Sequence, residues 1–181
     1  MINVEATNKM SKTVRLILGD QLNINHSWFQ TIDESITYVL MEIRSETDYA
    51  THHIQKIVGF FSAMRNFASE LQSKNHQVIY FQLNDENNLQ AFDKNVLQLI
   101  DKEGFTHFEY QLPDEYRLDE LLKKFCKTLS ISSSYVDSEH FMSSRSELGD
   151  FFEGKKTFLM ESFYHMMRKK HHVLMQGDKP L

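Results

Sequence analysis

The chain has 181 residues, of which 41% are hydrophobic, so it is long enough to bury the core of one globular domain. Its formal charge of −5 argues against nonspecific nucleic-acid binding by this chain alone, because neutralising phosphates requires a basic face. A single cysteine, Cys126, excludes an intrachain disulfide and indicates a reducing, cytoplasmic environment, and no apolar run approaches the about 18 residues of a membrane span.

The chain begins with polar residues that follow no pattern, and we expect residues 1–12 to form a flexible lead. An apolar run over residues 14–18 then stops at Gly19, and Asp20 and Gln21 follow at once. The run predicts a buried first strand with two polar residues at its carboxyl end. In an open α/β sheet, that edge is where ligands bind.

Strand and helix patterns alternate along the chain as far as residue 137. Further strands are predicted at residues 36–42, 78–81, 105–110 and 131–136. Helices are predicted at residues 51–74, 89–100 and 116–129, and a polar loop at residues 44–49. Units of about 30 residues of this kind are typical of βαβ connections and a parallel sheet. The predicted fold class is therefore α/β: a Rossmann-like, doubly wound, five-stranded parallel sheet over residues 13–137.

Residues 138–175 change character and are predicted to form a C-terminal helical extension. One short helix is expected over residues 143–152, capped by the serine at 143 or 144, and a second over residues 159–171. Methionine and aromatic residues are frequent in both. Such residues on a terminal pair of helices indicate a surface that packs on something else.

No phosphate-binding loop, GxGxxG fingerprint, nucleophile elbow or CxxC pair occurs, so a dinucleotide-dependent oxidoreductase is disfavoured. Acidic and amide side chains follow the first two strands instead: Asp20 and Gln21 after the first, Glu42 and Glu46 after the second. Such groups suit the N–H and C=O edge of a heterocyclic ring better than a phosphate. Loop capping by the same side chains is the alternative, and spacing alone favours it.

Two adjacent histidines, His52 and His53, open the long helix, and Lys56 follows one turn later. Adjacent helix positions point about 100° apart, so the two histidines cannot share a metal ion as an i, i+4 pair would. A helix start with one histidine capping and one exposed is favoured. The alternative is that one histidine lines a pocket together with Tyr49.

Several sequence blocks, in a fixed order from residue 14 to the end, carry a resemblance to a known family. They are LILGDQL at residues 16–22, Glu42 with Glu46, YxxHHxxKI at 49–57, FSAMRxFAxEL at 61–71, FMSS at 141–144, MExFYxxMRKK at 160–170 and LMxGDKP at 174–180. Their order and spacing resemble the N-terminal domain of the photolyase/cryptochrome superfamily. More narrowly, they resemble the deoxyribodipyrimidine photolyase-related branch, which includes iron–sulfur bacterial cryptochromes and prokaryotic (6-4) photolyases.

The resemblance implies an antenna domain that holds a light-harvesting chromophore. In this branch the expected chromophore is 6,7-dimethyl-8-ribityllumazine, which passes excitation energy to a flavin. Carried over position by position, the resemblance implies a cofactor-binding site made of Asp20, Gln21, Glu42, Ile43, Glu46, Tyr49, His53 and Phe60. It implies no catalytic residue and no metal ligand in this chain.

Family members continue past the last block, through a linker that would start here at residues 176–181, into a large helical domain. That domain carries FAD, an iron–sulfur cluster and the groove for damaged DNA. One cysteine cannot hold a four-cysteine cluster. We therefore expect the carbon–carbon lyase chemistry and the DNA contacts to belong to a helical domain in the same polypeptide or in a partner chain.

Two other functions are kept as alternatives. One is a pigment-free interaction module of the same fold, docking through residues 141–175. The other is a small nucleotide-binding hydrolase, which is disfavoured because residues 19–23 lack the serine and glycine content of a phosphate loop.

Overall fold

A computed structural model of the chain describes residues 11–177 and 179–181. The predicted flexible lead at residues 1–12 falls almost entirely outside the described residues. The chain divides into two compact units, one ending at Ser138 and the other running from Glu139 to Leu181. Among the described residues, no helix combines the length and the apolar character needed to cross a membrane.

The first unit is built on a parallel sheet. Its strands are β1 (Thr13–Leu16), β2 (Ile36–Met41), β3 (Gln77–Phe81), β4 (His107–Gln111) and β5 (Ser132–Val136). Their spatial order is β3-β2-β1-β4-β5, and every neighbouring pair is parallel. In the centre, Val14 of β1 lies opposite Thr37 on one side and Phe108 on the other. This confirms the predicted α/β, Rossmann-like, five-stranded sheet.

Helices cover both faces of this sheet. They are α2 (Ile54–Ser73), α3 (Phe92–Glu103) and α4 (Tyr116–Cys126). The one-turn helix α1 (Arg44–Thr47), which buries no residue, follows β2, and a 3₁₀ turn lies at Ser27–Phe29. Side chains alternate between the faces along each strand. Leu16 of β1 packs in one cluster with Val96 of α3 and Leu122 of α4. Ile17 packs in the other cluster with Leu71 of α2, so the strand runs are apolar throughout because both faces are buried.

The second unit contains α5 (Glu147–Phe152), α6 (Met160–Lys170) and a two-stranded antiparallel pair, β6 (Met175–Gln176) with β7 (Lys179–Pro180). An aromatic cluster holds α5 to α6, with the Phe151 and Phe163 ring centres 5.4 Å apart. Large apolar side chains remain exposed on this unit. They are Phe141, Met142, Leu148, Phe158, Leu159, Met160, Tyr164, Val173, Leu174 and Leu181.

Two local predictions are wrong in detail. The predicted polar loop at residues 44–49 contains the one-turn helix α1. The predicted serine cap of α5 does not form, since the helix starts after Ser146, whose side chain makes no capping bond. The Glu147 carboxylate instead accepts a hydrogen bond from the backbone N–H of Ser144, which lies before the helix, and so fixes the chain that leads into it.

Candidate functional site

A cavity of about 200 Å³ opens at the carboxyl ends of β1, β2 and β4. Its walls come from the loop after β1, from the segment between β2 and α2, from α2 itself and from the starts of α3 and α4. The strand order reverses direction here, because β2 lies on one side of β1 and β4 on the other. Ligands of open α/β sheets bind in the crevice at such a switch point.

The inner part of the cavity is apolar. Its walls include Leu18, Met41, Ile43, Phe61, Met64, Phe92 and Leu118. The ring of Phe60 lies directly against the backbone of Gly19, and Phe60 is 43% exposed. An apolar wall beside an aromatic ring is suited to a planar heterocycle.

The rim is polar and is held by Arg117 at the first turn of α4. Its guanidinium donates to both carboxylate oxygens of Glu46 on α1, with Nη2 3.0 Å from Oε2. The same group lies 4.6 Å from the ring centre of Tyr49 and 3.4 Å from the carboxylate of Glu115. The bond to Glu46 raises the pKa of Arg117, so the guanidinium stays charged. Arg117 thus ties the segment after β2 to the segment after β4 across the cavity.

His52 and Lys56 complete the rim on the α2 side. The ammonium of Lys56 donates to Nδ1 of His52 at 3.4 Å, and the His52 ring meets the Tyr49 ring edge to face at 5.2 Å. The rim therefore combines carboxylates, cations and aromatic rings within a short distance of the apolar wall. Among the described residues, no group of three or more His, Cys, Asp or Glu side chains is arranged to hold a metal ion.

Five of the eight positions assigned by the resemblance line this one cavity. They are Asp20, Ile43, Glu46, Tyr49 and Phe60. The other three, Gln21, Glu42 and His53, do not line it. The side chain of each of these three accepts a hydrogen bond from a backbone N–H group.

Gln21 is buried beneath the β1 loop. Its Oε1 accepts from the backbone N–H of Leu18 at 3.0 Å, and its Nε2 donates to the carbonyl of Gln111 at 3.1 Å. His53 is exposed and caps α2, with Nδ1 accepting from the backbone N–H of Gln55 at 3.2 Å. The two histidines therefore have different roles: His53 caps the helix, and His52 lines the cavity with Tyr49.

Glu42 is fully buried at the end of β2. Its carboxylate accepts hydrogen bonds from Arg65, from the Tyr80 hydroxyl at 2.7 Å and from the backbone N–H of Leu83 at 2.9 Å. Burial alone would raise the pKa of Glu42, but these bonds outweigh it and hold the pKa below its usual range. Burial, together with the charge of Glu42, raises the pKa of Tyr80 well above normal. Glu42 thus links the end of β2 to α2 and to the end of β3, behind the cavity.

The sequence patterns missed several of the lining residues. They include Lys56, Met64, Phe92, Glu115, Arg117 and Leu118. Glu115 and Arg117 follow β4, more than 60 positions after Glu46, and they reach the cavity because β4 lies beside β1. A signal was present in principle, since polar residues follow the fourth predicted strand as they follow the first two.

Comparison with known proteins adds a second line of evidence. The family model described as deoxyribodipyrimidine photo-lyase-related protein matches residues 15–181. A (6-4) photolyase of Agrobacterium fabrum is 35% identical over 173 residues, which cover 95% of this chain and 34% of that protein. An uncharacterized protein of Acanthamoeba polyphaga mimivirus is 24% identical over 180 residues, covering 94% of this chain and 88% of that protein. The chain thus spans about a third of the photolyase and most of the viral protein.

Proposed function

The chain belongs to the deoxyribodipyrimidine photo-lyase-related family, and from this premise we propose that its cavity binds an antenna chromophore. The chromophore that we propose, from the family resemblance, is 6,7-dimethyl-8-ribityllumazine, a two-ring heterocycle with N–H and C=O groups along one edge and a hydroxylated side chain. Bound here, it would absorb blue or near-ultraviolet light and pass the energy to a flavin.

The observation that carries the proposal is the convergence of five family positions on one cavity at the switch point of the sheet. Phe60 and the apolar wall supply a face for the ring and keep water from it. Glu46 offers an acceptor to a ring N–H or to a ribityl hydroxyl, and Arg117 and Lys56 offer donors. A few fixed polar groups around an apolar slot are what a bound heterocycle requires.

The photochemical step itself is assigned to a helical domain beyond this chain, in the same polypeptide or supplied by a partner. That domain would hold the FAD and the iron–sulfur cluster and would contact DNA, in repair or in blue-light signalling. In this chain, Cys126 alone cannot ligate a cluster, and the charge of −5 disfavours a DNA groove. The protein would therefore act as a light collector and not as the lyase, and the single cysteine supports a cytoplasmic location.

Titration of the purified chain with the lumazine tests the proposal. We expect a saturable, red-shifted absorption change. Phe60→Ala should weaken binding about fivefold, since an aromatic contact contributes about 1 kcal/mol. Val58→Ala is the matched control, because Val58 lies on the same helix, is 56% exposed and does not line the cavity. The absence of any saturable change with lumazine, flavin or deazaflavin would overturn the proposal.

An interaction module without pigment is the second candidate, and the exposed apolar side chains of the second unit favour it. Phe158 is 68% exposed and Leu159 58%, which is unusual for adjacent large apolar residues. On this alternative, the chain should bind no pigment but should bind a separately expressed helical domain of a photolyase relative. Replacement of both residues by serine should then abolish binding of that domain.

A further inference from the structure

Residues 44–63 follow β2 and comprise α1, the connection after it and the first half of α2. The structure describes all of them, and none of them is buried. The core begins again at Met64, and the buried residues of α2 lie between there and Leu71. Ile54 and Val58, in the first half of the helix, are large apolar residues that remain exposed. A segment with so little buried apolar surface opens at a lower cost in free energy than the core around it.

The same segment forms one side of the cavity. Eight of the residues that line the cavity, from Glu46 to Phe61, belong to it. The other side includes Leu18 and Leu118, which are buried in the core on the sheet and at the start of α4. The cavity therefore has one firmly packed side and one loosely packed side.

The two ends of the segment are held together at one point. Glu42 lies just before it and Arg65 just after it, and the buried Glu42 carboxylate accepts two hydrogen bonds from the Arg65 guanidinium. The backbone N–H of Arg44 also donates to the side chain of Gln90 at 3.2 Å. The residues between these ties have a fixed base, so they can move without loosening the sheet.

Farther from this base, Arg117 of α4 ties the segment across the cavity. Its guanidinium binds the carboxylate of Glu46 and lies over the ring of Tyr49. Both partners of the ion pair are partly exposed. Water competes with an ion pair of this exposure, so the tie breaks and re-forms at low cost.

Gly59 lowers the stability of the first half of α2. It lies in the interior of the helix, and a Cβ atom there would meet nothing within 4 Å. It is also not among the residues with a positive φ, so neither space nor backbone conformation requires a glycine. Because glycine favours the unfolded chain more than alanine does, this half of the helix is easier to open than its packing alone would make it.

We propose that residues 44–63 form a flap that opens and closes over the cavity, with the Glu42–Arg65 pair as its fixed base and Arg117 as its latch. Opening uncovers the apolar side of the cavity and admits a ligand. A ligand bound against Phe60 and Phe61 then supplies the apolar contacts that hold the flap closed. The role of the flap in ligand entry rests on the proposed antenna function, whereas its opening does not.

Hydrogen exchange of the pigment-free chain, measured for each amide by NMR, tests the opening. Residues 58–63 and 68–71 all lie inside α2, where each backbone N–H bonds the carbonyl four positions earlier. After correction for intrinsic rates, we expect residues 58–63 to exchange at least about tenfold faster than residues 68–71.

Two variants should move this exchange in opposite directions. Arg117→Met removes the latch and should speed exchange at residues 58–63 about threefold, with no change at residues 68–71. Gly59→Ala should slow exchange at residues 60–63 about fivefold, because alanine favours the helix. Lys123→Met is the matched control, since Lys123 lies on the same helix as Arg117 but pairs with Asp119. Thermal melts establish that each variant is folded.

The lumazine tests the link to ligand entry. A saturating concentration of 6,7-dimethyl-8-ribityllumazine should slow exchange at residues 58–63. Release of the pigment after dilution, followed by absorption, should be about threefold faster in Arg117→Met and about fivefold slower in Gly59→Ala.

The outcomes separate the flap from the antenna function. If the chain binds no pigment, the antenna function fails, and the exchange measurements still decide whether the flap opens. Simple fraying of the helix end would give fast exchange at residues 58–63 without any response to Arg117→Met, and that result would overturn the flap while the antenna function stands. If exchange responds to the variants but pigment release does not, the flap does not control ligand entry.

Discussion

Arg65 of α2 and Glu42 at the end of β2 form a two-point ion pair, with Nε 2.6 Å from Oε1 and Nη2 2.8 Å from Oε2. The carboxylate is fully buried, whereas the guanidinium is 51% exposed. The pair ties the helix that carries Phe60 to the strand that leads to Glu46. The shape of the cavity therefore depends on a contact that does not belong to the cavity.

Glu42→Gln should lower the free energy of unfolding by about 2 kcal/mol. Glutamine has nearly the shape of glutamate but no charge, so the buried ion pair with Arg65 is lost. Urea denaturation at pH 7 measures this. Glu70→Gln is the control, since Glu70 forms an exposed pair with Lys74 on the same helix. Its effect should stay below about 0.5 kcal/mol.

The lowered pKa of Glu42 predicts that the stability of the protein depends on pH. The pKa of Glu42 is lowered in the fold from its ordinary value of 4.5. Its contribution to stability is therefore complete above pH 4.5 and is lost as the pH falls through the lowered pKa. The stability gap between the parent protein and Glu42→Gln should narrow in acid. A gap that stays constant from pH 7 to pH 3 would contradict this assignment.

Arg117→Met should weaken lumazine binding several-fold while changing the unfolding free energy by less than about 1 kcal/mol, because the ion pair with Glu46 is partly exposed. Methionine keeps most of the side-chain volume over Tyr49, so the lost charge is what the variant reports. Absorption titration and urea denaturation provide the two measurements. Lys123→Met, on the exposed side of α4, should leave pigment binding unchanged.

Gly104→Ala should destabilise the protein by about 1 kcal/mol. Gly104 ends α3 with φ of 69°, and its N–H bonds the carbonyl of Ile100, so alanine must adopt a left-handed conformation. Gly59→Ala provides the contrast. Gly59 lies within α2 with free space around its Cα, and alanine favours the helix, so this variant should raise the free energy of unfolding by up to about 1 kcal/mol. Thermal denaturation should show melting temperatures that move in opposite directions.

The thiol of Cys126 should react slowly with a thiol reagent at pH 8 in the native protein. Burial raises the pKa of Cys126, which reduces the fraction of thiolate, the reactive form. Unfolding in urea should restore the rate of a free cysteine. If the thiol reacted equally fast in the native and the unfolded protein, the fold would neither protect it nor raise its pKa.

The sequence by itself determined the sheet and its helices. Apolar runs with strand character, the three-and-four spacing in residues 54–71 and the stop at Gly104 are local signals. They act between residues a few positions apart, so one sequence is enough to interpret them. The family blocks likewise placed candidate binding residues after β1 and β2.

The tertiary structure decided which polar residues meet. Glu42 and Ile43 are adjacent in sequence, yet Glu42 binds Arg65 behind the cavity and Ile43 lines the cavity. His52 and His53 separate in the same way, because neighbouring side chains point in different directions. Arg117 joins the site only because β4 lies beside β1. Contacts of this kind depend on strand order and helix rotation, which are fixed by the packing of the whole core and not by any local pattern.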